Sequence, residues 1–192
     1  MSLVIAFIGM QGAVMAGDMR EIITCGDKLS TDTLEHELYS GMIVSDDELK
    51  KRAEALGISL TIRDDKRKVT QQDGILVGEV SETEGGILKK RRLYATAGEF
   101  ALAEITDADL RLTGKGTASN FVVLGNQITK QIARSCIQEH WKNGSLHDAI
   151  RILMLSMERS SKATASVSGL YTLMHTPAKG SLSAVIERDS RQ

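Results

Sequence analysis

The sequence has little of several residue types, and each shortage excludes a class of protein. One proline, Pro177, is present among 192 residues, so no proline-rich linker divides the chain. The two cysteines, Cys25 and Cys136, lie far apart and match no zinc-binding or redox spacing. No apolar run reaches the roughly 18–20 residues of a membrane-spanning helix, so we expect no membrane partner.

Neither charge nor aromatic content favours nucleic acid as a partner. The chain has 24 basic and 25 acidic residues, a formal net charge of -1, and only three Phe, three Tyr and one Trp. Electrostatic attraction to phosphate and aromatic stacking on bases are therefore both weak. The length suits one domain of about 100–200 residues. The four histidines lack paired metal-ligand spacing, so we expect no metal and no cofactor: His36, His140, His147 and His175.

The first residues predict a buried β-hairpin. Residues 3–8 are apolar without alternation and end at Gly9, which is typical of a strand buried on both faces. Gln11-Gly12 is a turn signal, and residues 13–16 form a second apolar run. No basic residue precedes the first run, so we expect that it is not a signal peptide and that the protein is cytoplasmic.

Residues 27–84 are more polar and predict two short helices. Asp32 caps one that ends at Gly41, and Ser45 with Glu48 forms a capping box for another that ends at Gly57. Short strands are predicted at 60–62 and 75–77. The mixed charges from Asp64 to Lys68 are typical of a solvated turn.

The second half predicts strands, then a helix pair, then strands. Strands are expected on both sides of Gly98, at 110–112 and at 121–124, and two helices follow, separated at Asn143-Gly144. Residues 167–175 and 181–187 are interpreted as a final hairpin. Strands that are apolar on both faces need a layer on each side, which favours stacked sheets covered by helices.

The chemistry-bearing feature is the position of Ser2. If Met1 is removed, the Ser2 hydroxyl and its own α-amine share one residue. An α-amine has a pKa of about 7.7–8.0, so near neutral pH it can act as a general base for that hydroxyl.

The segment from Ser2 to Arg20 resembles the N-terminal hairpin of proteasome β subunits and of the related bacterial heat-shock peptidase. The likeness rests on residues 12–18, Gly-Ala-Val-Met-Ala-Gly-Asp, and on Asp18 and Arg20 at the family's spacing from the nucleophile. It implies an N-terminal-nucleophile hydrolase of the α+β class, a four-layer αββα sandwich of two stacked antiparallel sheets. The chain would be one proteasome-like domain over 1–192, with a divergent or inserted segment at about 27–84. The whole chain also resembles a family of archaeal proteins from methanogens.

The same resemblance extends to turns in the second half. It puts Asn126 at the serine of the turn before the helix pair, near the oxyanion site, and Ser168 at the serine that assists the N-terminal amine. The family has an Asp three residues before that serine, where this chain has Ala165.

The family's catalytic lysine is the hardest residue to assign. Residues 89–94, Lys-Lys-Arg-Arg-Leu-Tyr, resemble the strand that carries it in the heat-shock peptidase, and that register selects Lys89. Lys90 and Lys28 are alternatives. The basic run is also typical of a solvated edge strand.

Three functions remain open from the sequence. The first is an amide-bond hydrolase that acts on a peptide or small amide, with Ser2, Asp18, Lys89 and Ser168 as catalytic residues. The second is a non-catalytic member of the fold, kept for assembly. The third is a phosphate- or nucleic-acid-binding module built on Lys89 to Arg92, against which the charge balance argues. Since proteasome-like folds work in rings, a homo-oligomer is expected, formed through the long helices or the 27–84 segment.

Overall fold

The computed structural model describes residues 3–84, 87–107, 109–117, 119–142 and 144–191. Eleven strands and five helices follow one another in these parts of the chain. The strands are β1 Val4–Gly9, β2 Gly12–Asp18, β3 Glu21–Cys25, β4 Ser59–Arg63, β5 Val69–Gln72, β6 Ile75–Glu84, β7 Ile87–Thr96, β8 Glu99–Thr106, β9 Asp109–Thr117, β10 Asn120–Leu124 and β11 Tyr171–Thr176. The helices are α1 Lys28–Tyr39, α2 Asp46–Ala55, α3 Gln127–His140, α4 Leu146–Ala163 and α5 Leu182–Asp189.

The predicted N-terminal hairpin forms the centre of a four-stranded antiparallel sheet. Its strand order is β10-β1-β2-β11, and Val4 pairs with Gly17 in the hairpin register. Every residue of β1 and β2 is buried. The absence of alternation in the sequence thus reflects packing against both faces of this sheet.

A second sheet is a five-stranded antiparallel meander in the order β5-β6-β7-β8-β9. The two sheets stack through an apolar core that includes Val4 and Met15 on one side and Leu76 and Leu93 on the other. Gly78 lies where they approach closely, because a Cβ there would lie 2.5 Å from Met15 Sδ. Even a methyl group at this position would force the sheets apart.

Helices pack on the outer faces of the two sheets. α3 and α4 cover the four-stranded sheet, where Ala133, Leu153 and Met157 meet the odd-numbered side chains of β1. On the outer face of the meander, α5 packs through Leu182, Val185 and Ile186. Antiparallel sheets and the helix pair were expected from the sequence, and the eight-residue α5 is much shorter than α3 and α4.

Residues 21–63 form a separate layer beside the site described below. β3 and β4 pair with each other as a two-stranded sheet, and α1 and α2 pack on it through an apolar cluster that includes Leu34, Leu38 and Leu49. The predicted Ser45–Glu48 capping box is present at the start of α2. The first helix begins earlier than predicted, because Asp27 and not Asp32 accepts the capping hydrogen bond, from the Ser30 N–H.

The predicted final hairpin is wrong in its second half. Residues 182–189 form α5, whose buried residues Leu182, Val185 and Ile186 follow helical spacing. Only β11 therefore extends the sheet beyond β2 in the part of the chain that the structure describes. No helix among the described residues is long and apolar enough to cross a membrane.

Candidate functional site

Asp18 ends β2 with a fully buried carboxylate that holds the start of the chain. Its Oδ2 accepts a hydrogen bond from the Leu3 backbone N–H at 2.7 Å, and its Oδ1 accepts one from the Arg20 N–H at 2.8 Å. The Asp18 N–H in turn donates to the Leu3 carbonyl at 3.1 Å. Leu3 is thus held through both its backbone N–H and its backbone carbonyl. Ser2, the predicted nucleophile, lies outside the described residues.

The lysine that contacts Asp18 is Lys68. Its Nζ donates to Asp18 Oδ1 at 2.7 Å and to the Arg20 carbonyl at 2.6 Å, and its side chain is 8% exposed. Burial lowers the pKa of Lys68, while the negative charge of Asp18 opposes that effect. The structure thus brings a buried cation to the carboxylate that also binds Leu3.

Gly17 makes the close approach of Lys68 possible. A Cβ at this position would lie 2.8 Å from Val69 Cγ2 and 3.3 Å from Lys68 Cβ. A side chain here would push the start of β5, and Lys68 with it, away from β2.

The lysines favoured from the sequence lie elsewhere. Lys89 is in β7, paired with Thr106 of β8, and is four residues along the strand from Leu93 in the core between the sheets. Four residues of a strand span about 13 Å. Lys28 is the exposed first residue of α1. The segment Asp64 to Lys68, interpreted as a solvated turn, instead contributes both of its end residues to the site.

Arg20 forms the second part of the site. Its guanidinium bonds Asp64 in a two-pronged contact, Nε to Oδ1 at 2.9 Å and Nη2 to Oδ2 at 3.0 Å. It also bonds the Asp46 carboxylate and donates to the Ala165 carbonyl at 2.8 Å. Burial lowers the pKa of Arg20, but the hydrogen bonds to Asp64 and Asp46 outweigh it, so the pKa is raised overall. The guanidinium therefore stays charged while linking three separate segments.

The loop that carries Ser168 lies beside this cluster, since the Met19 N–H donates to the Leu170 carbonyl at 3.0 Å and Arg20 bonds the Ala165 carbonyl. The Ser168 Oγ accepts a hydrogen bond from the Leu170 N–H at 2.9 Å, and the residue is 1% exposed. The hydrogen bond from Arg20 lowers the pKa of Asp64, and the nearby Ser168 hydroxyl lowers it further.

Asn126, which the resemblance put at the oxyanion turn, caps the start of α3. Its side-chain oxygen caps α3 by accepting from the Thr129 N–H at 2.9 Å, and its Nδ2 donates to Ser166 Oγ at 3.0 Å. Thr164 Oγ1 lies 3.0 Å from the same serine hydroxyl. The described contacts of Asn126 therefore join the start of α3 to the loop that carries Ser168.

The sequence singled out Asp18, Arg20 and Ser168 but not Lys68, Asp64 or Asp46, which contact Asp18 or Arg20 in the structure. A weak signal was present, because the apolar Val69 follows Lys68, and its burial at the start of β5 brings the end of the charged run near the core. Within the described residues no group of His, Cys, Asp and Glu side chains is arranged to hold a metal. The chemistry available is that of a buried lysine–carboxylate pair beside the first strand.

Solved structures of low sequence identity share this fold. The ancestral beta-subunit Anbu from Yersinia bercovieri is 10% identical, with a TM-score of 0.51, and the match covers 91% of this chain and 82% of that one. HslV from Trypanosoma brucei is 13% identical with a TM-score of 0.40, over 91% and 98% of the two chains. No match to a curated protein was found. The likeness to Anbu shows a proteasome-like fold, as the N-terminal hairpin predicted.

The family model described as "Connectase MJ0548-like, N-terminal domain" matches residues 1–191, which include every element and every site residue described above. The chain belongs to this family.

Proposed function

We propose that this chain acts on an amide bond with Ser2 as an N-terminal nucleophile after removal of Met1. The Ser2 Oγ attacks the carbonyl carbon while the α-amine of Ser2 takes the hydroxyl proton. Backbone N–H groups hold the resulting oxyanion. The C–N bond then breaks, the proton passes to the departing amine, and an acyl ester remains on Ser2. Water clears the ester and restores the hydroxyl.

The observation that carries the proposal is the pair of contacts made by Asp18. One carboxylate oxygen binds the Leu3 N–H and the other binds the Lys68 ammonium, so the residue after the nucleophile and the buried cation share one anchor. A positive charge near an amine favours its neutral form and lowers its pKa. We assign to Lys68 the role that the resemblance gave to Lys89. Asp18 fixes Lys68, Ser168 assists the amine, and Asn126 holds the turn.

The acyl ester has two possible fates. Attack by water gives hydrolysis, and attack by an amine gives a new amide, which joins two molecules. The family to which the chain belongs is described by the name connectase, a word that denotes joining. We therefore include amide transfer with hydrolysis in the proposed reaction, and a peptide or small amide as the substrate.

The test is covalent labelling of the Ser2-first protein with an epoxyketone. This reagent closes a ring with both the hydroxyl and the free α-amine, so it reports the paired arrangement. We expect labelling of the Ser2-first protein, none after Ser2→Ala and none when Met1 is retained. Ser183→Ala, which changes an exposed serine, is the matched control and should label normally.

Two results would contradict this proposal. Labelling that persists in a folded Ser2→Ala variant would show that another residue reacts. A verified Ser2-first protein that does not label would favour the alternative, a non-catalytic proteasome-like assembly protein. Mass spectrometry of the labelled N-terminal peptide distinguishes the two outcomes.

We further propose that the chain is one proteasome-like domain over 1–192 with a divergent or inserted segment at about 27–84, and that it forms homo-oligomers. The exposed apolar side chains of Leu29 and Met42, which are 78% and 68% exposed, support an interface on this segment. Sedimentation at micromolar concentration tests the assembly, since a mass near 20.9 kDa would contradict it.

A further inference from the structure

The 21–63 layer has an apolar core of its own. The buried members of this core that belong to the layer are Leu34, Leu38, Ile43, Leu49, Ala53 and Ile58. Among the described residues, the rest of the chain adds one buried member, Ala165, whose side chain is a single methyl group. Gly41 also approaches Ile128 of α3, but it has no side chain to pack there. The apolar contacts within the layer therefore persist if the layer moves away from the rest of the molecule.

Both connections of the layer to the rest of the chain lie at the same end of the β3–β4 ribbon. β3 begins at Glu21 and β4 ends at Arg63, and these two residues pair with each other. The Lys66 N–H donates to the Met19 carbonyl at 3.0 Å, so the segments that enter and leave the layer stay side by side. Two adjacent connections at one end are the arrangement of a hinged element.

α2 contacts the rest of the molecule through Asp46. The Arg20 Nη2 donates to Asp46 Oδ2 at 3.2 Å, and the Asp46 side chain is 42% exposed, so water can replace it. Arg20 itself is held by Asp64, beside the ends of the ribbon, and by the Ala165 carbonyl at 2.8 Å. The bond between Arg20 and Asp46 can therefore break while Arg20 keeps its other partners.

α1 and the turn after it contact the segment that leads to Ser168. The Thr164 Oγ1 lies 3.2 Å from the Leu38 carbonyl, and because a carbonyl oxygen only accepts, the Thr164 hydroxyl is the donor. The Ala165 N–H donates to the Ile43 carbonyl at 3.1 Å. When the layer moves away, water replaces the partners of these groups, so such bonds resist separation only weakly.

We propose that the 21–63 layer is a hinged cover of the site, which turns about the ends of β3 and β4 as a rigid unit. The Asp46–Arg20 and Leu38–Thr164 contacts hold it closed. Opening separates α2 from Arg20 and α1 from Thr164, and it uncovers the Arg20 guanidinium, whose side chain is 9% exposed when the cover is closed. The inference rests on the proposed function only for what enters through the opening, a peptide substrate.

A rigid cover has a signature that two separate structural contacts lack. Because the cover moves as one unit, loosening either contact speeds separation at the other. The Ala165 N–H, whose acceptor Ile43 belongs to the layer, exchanges with solvent when the cover opens. The Ile58 N–H donates to the Ala53 carbonyl at 2.8 Å inside the layer, so it exchanges only when the layer itself unfolds.

The first experiment measures hydrogen exchange in Asp46→Ala and Asp47→Ala by mass spectrometry. Both changes remove a carboxylate from the first turn of α2, but only Asp46 bonds Arg20 among the contacts described. We expect exchange at Ala165 to be about tenfold faster in Asp46→Ala and unchanged in Asp47→Ala, with exchange at Ile58 unchanged in both. Unchanged exchange at Ala165 in Asp46→Ala would overturn the inference, and so would equal acceleration at Ala165 and Ile58.

The second experiment loosens the other contact and measures the modification of Arg20 by phenylglyoxal. Thr164→Val removes the hydroxyl that bonds Leu38 and leaves Asp46 in place, whereas Thr164→Ser keeps a hydroxyl. We expect Arg20 to react several-fold faster in Thr164→Val and at the parent rate in Thr164→Ser. An unchanged rate in folded Thr164→Val would contradict the cover. Neither readout needs a reaction at Ser2, so failure of epoxyketone labelling would contradict the proposed function alone.

Discussion

Two arginines, one at each end of the layered structure, are held by pairs of carboxylates. Arg20 binds Asp46 and Asp64, and Arg92 of β7 binds Glu79 of β6 and Asp189 of α5. Both guanidinium groups are mostly buried, with 9% and 21% of the side chain exposed. Arginine between two carboxylates is therefore not in itself the mark of a functional site here.

The two clusters differ in what else they contact. The Arg92 cluster also includes Tyr94, whose hydroxyl donates to Asp189 Oδ2 at 2.7 Å. These contacts attach α5 to the meander. The Arg20 cluster continues through the Arg20 backbone to Lys68 and Asp18, and from there to Leu3. Connection to Leu3 at the start of the first strand, through Asp18 and its buried lysine, distinguishes a candidate site from a structural clamp.

The largest expected effect is that of Lys68→Met, which leaves Asp18 as a buried charge without its cation. Breaking a buried ion pair in this way costs about 3–5 kcal/mol in the free energy of unfolding, and we expect labelling of Ser2 to be lost. Denaturant unfolding and labelling rates measure the two effects. Lys66→Met is the matched control, because Lys66 is 56% exposed and its pair with Glu21 contributes little. Equal losses in both variants would contradict the assignment of Lys68.

A smaller effect, on stability alone, is expected from Asp189→Asn. The change removes the charge that binds Arg92 and Tyr94, which costs about 1–3 kcal/mol, while labelling should stay at the level of the parent protein. Asp73→Asn serves as control, since its bond to Arg188 joins two exposed side chains. A marked loss of labelling in folded Asp189→Asn would remove the distinction between the two clusters.

The smallest expected effect is a raised pKa of the Tyr94 hydroxyl in the Arg92 cluster. Burial, followed by the hydrogen bond to Asp189, raises the pKa of Tyr94 to about 12, from an ordinary value of about 10. The neutral phenol is favoured in the folded state, so its contribution to stability is complete below about pH 10 and is lost as pH rises through about 12. Ultraviolet absorbance of the phenolate follows the titration, and comparison with Tyr94→Phe identifies the group. Ionisation of Tyr94 near pH 10 in the folded protein would show that the cluster is open to water.

Local patterns predicted the parts of the fold that depend on local interactions. The unbroken apolar run of β1, the Ser45–Glu48 capping box and the α3–α4 pair were all readable from the sequence. The final helix was not, because Leu182 to Glu187 is short and apolar enough to suit either a strand or a helix. Its packing on Tyr94 and Ala101, far away in sequence, fixes the helical form.

The residues of the candidate site also divide into those that the local sequence indicated and those that only long-range contacts bring in. Asp18 ends the second strand of the N-terminal hairpin, and Arg20 follows two residues later. Their spacing from Ser2 was therefore visible in the sequence. Lys68 reaches Asp18 across 50 positions and Asp64 reaches Arg20 across 44, because two helices stand between β3 and β4. Apart from the apolar Val69 that follows Lys68, the charged run does not indicate which of its members contact the site, and here the two end residues do.

Gly17 has a further consequence for how this site can change over time. The gap between β2 and β5 is only as wide as a hydrogen atom on the glycine allows, and the same gap sets how far Lys68 stands from Asp18. A larger residue at position 17 would press on Val69 and on Lys68 Cβ and lengthen the salt bridge, while both charged residues stay in the sequence. The distance between Lys68 and Asp18, and with it the strength of their electrostatic interaction, therefore depends on a glycine that has no charge and no side chain. A lineage that lost the chemistry could do so by gaining a single methyl group there, with every charged residue still in place.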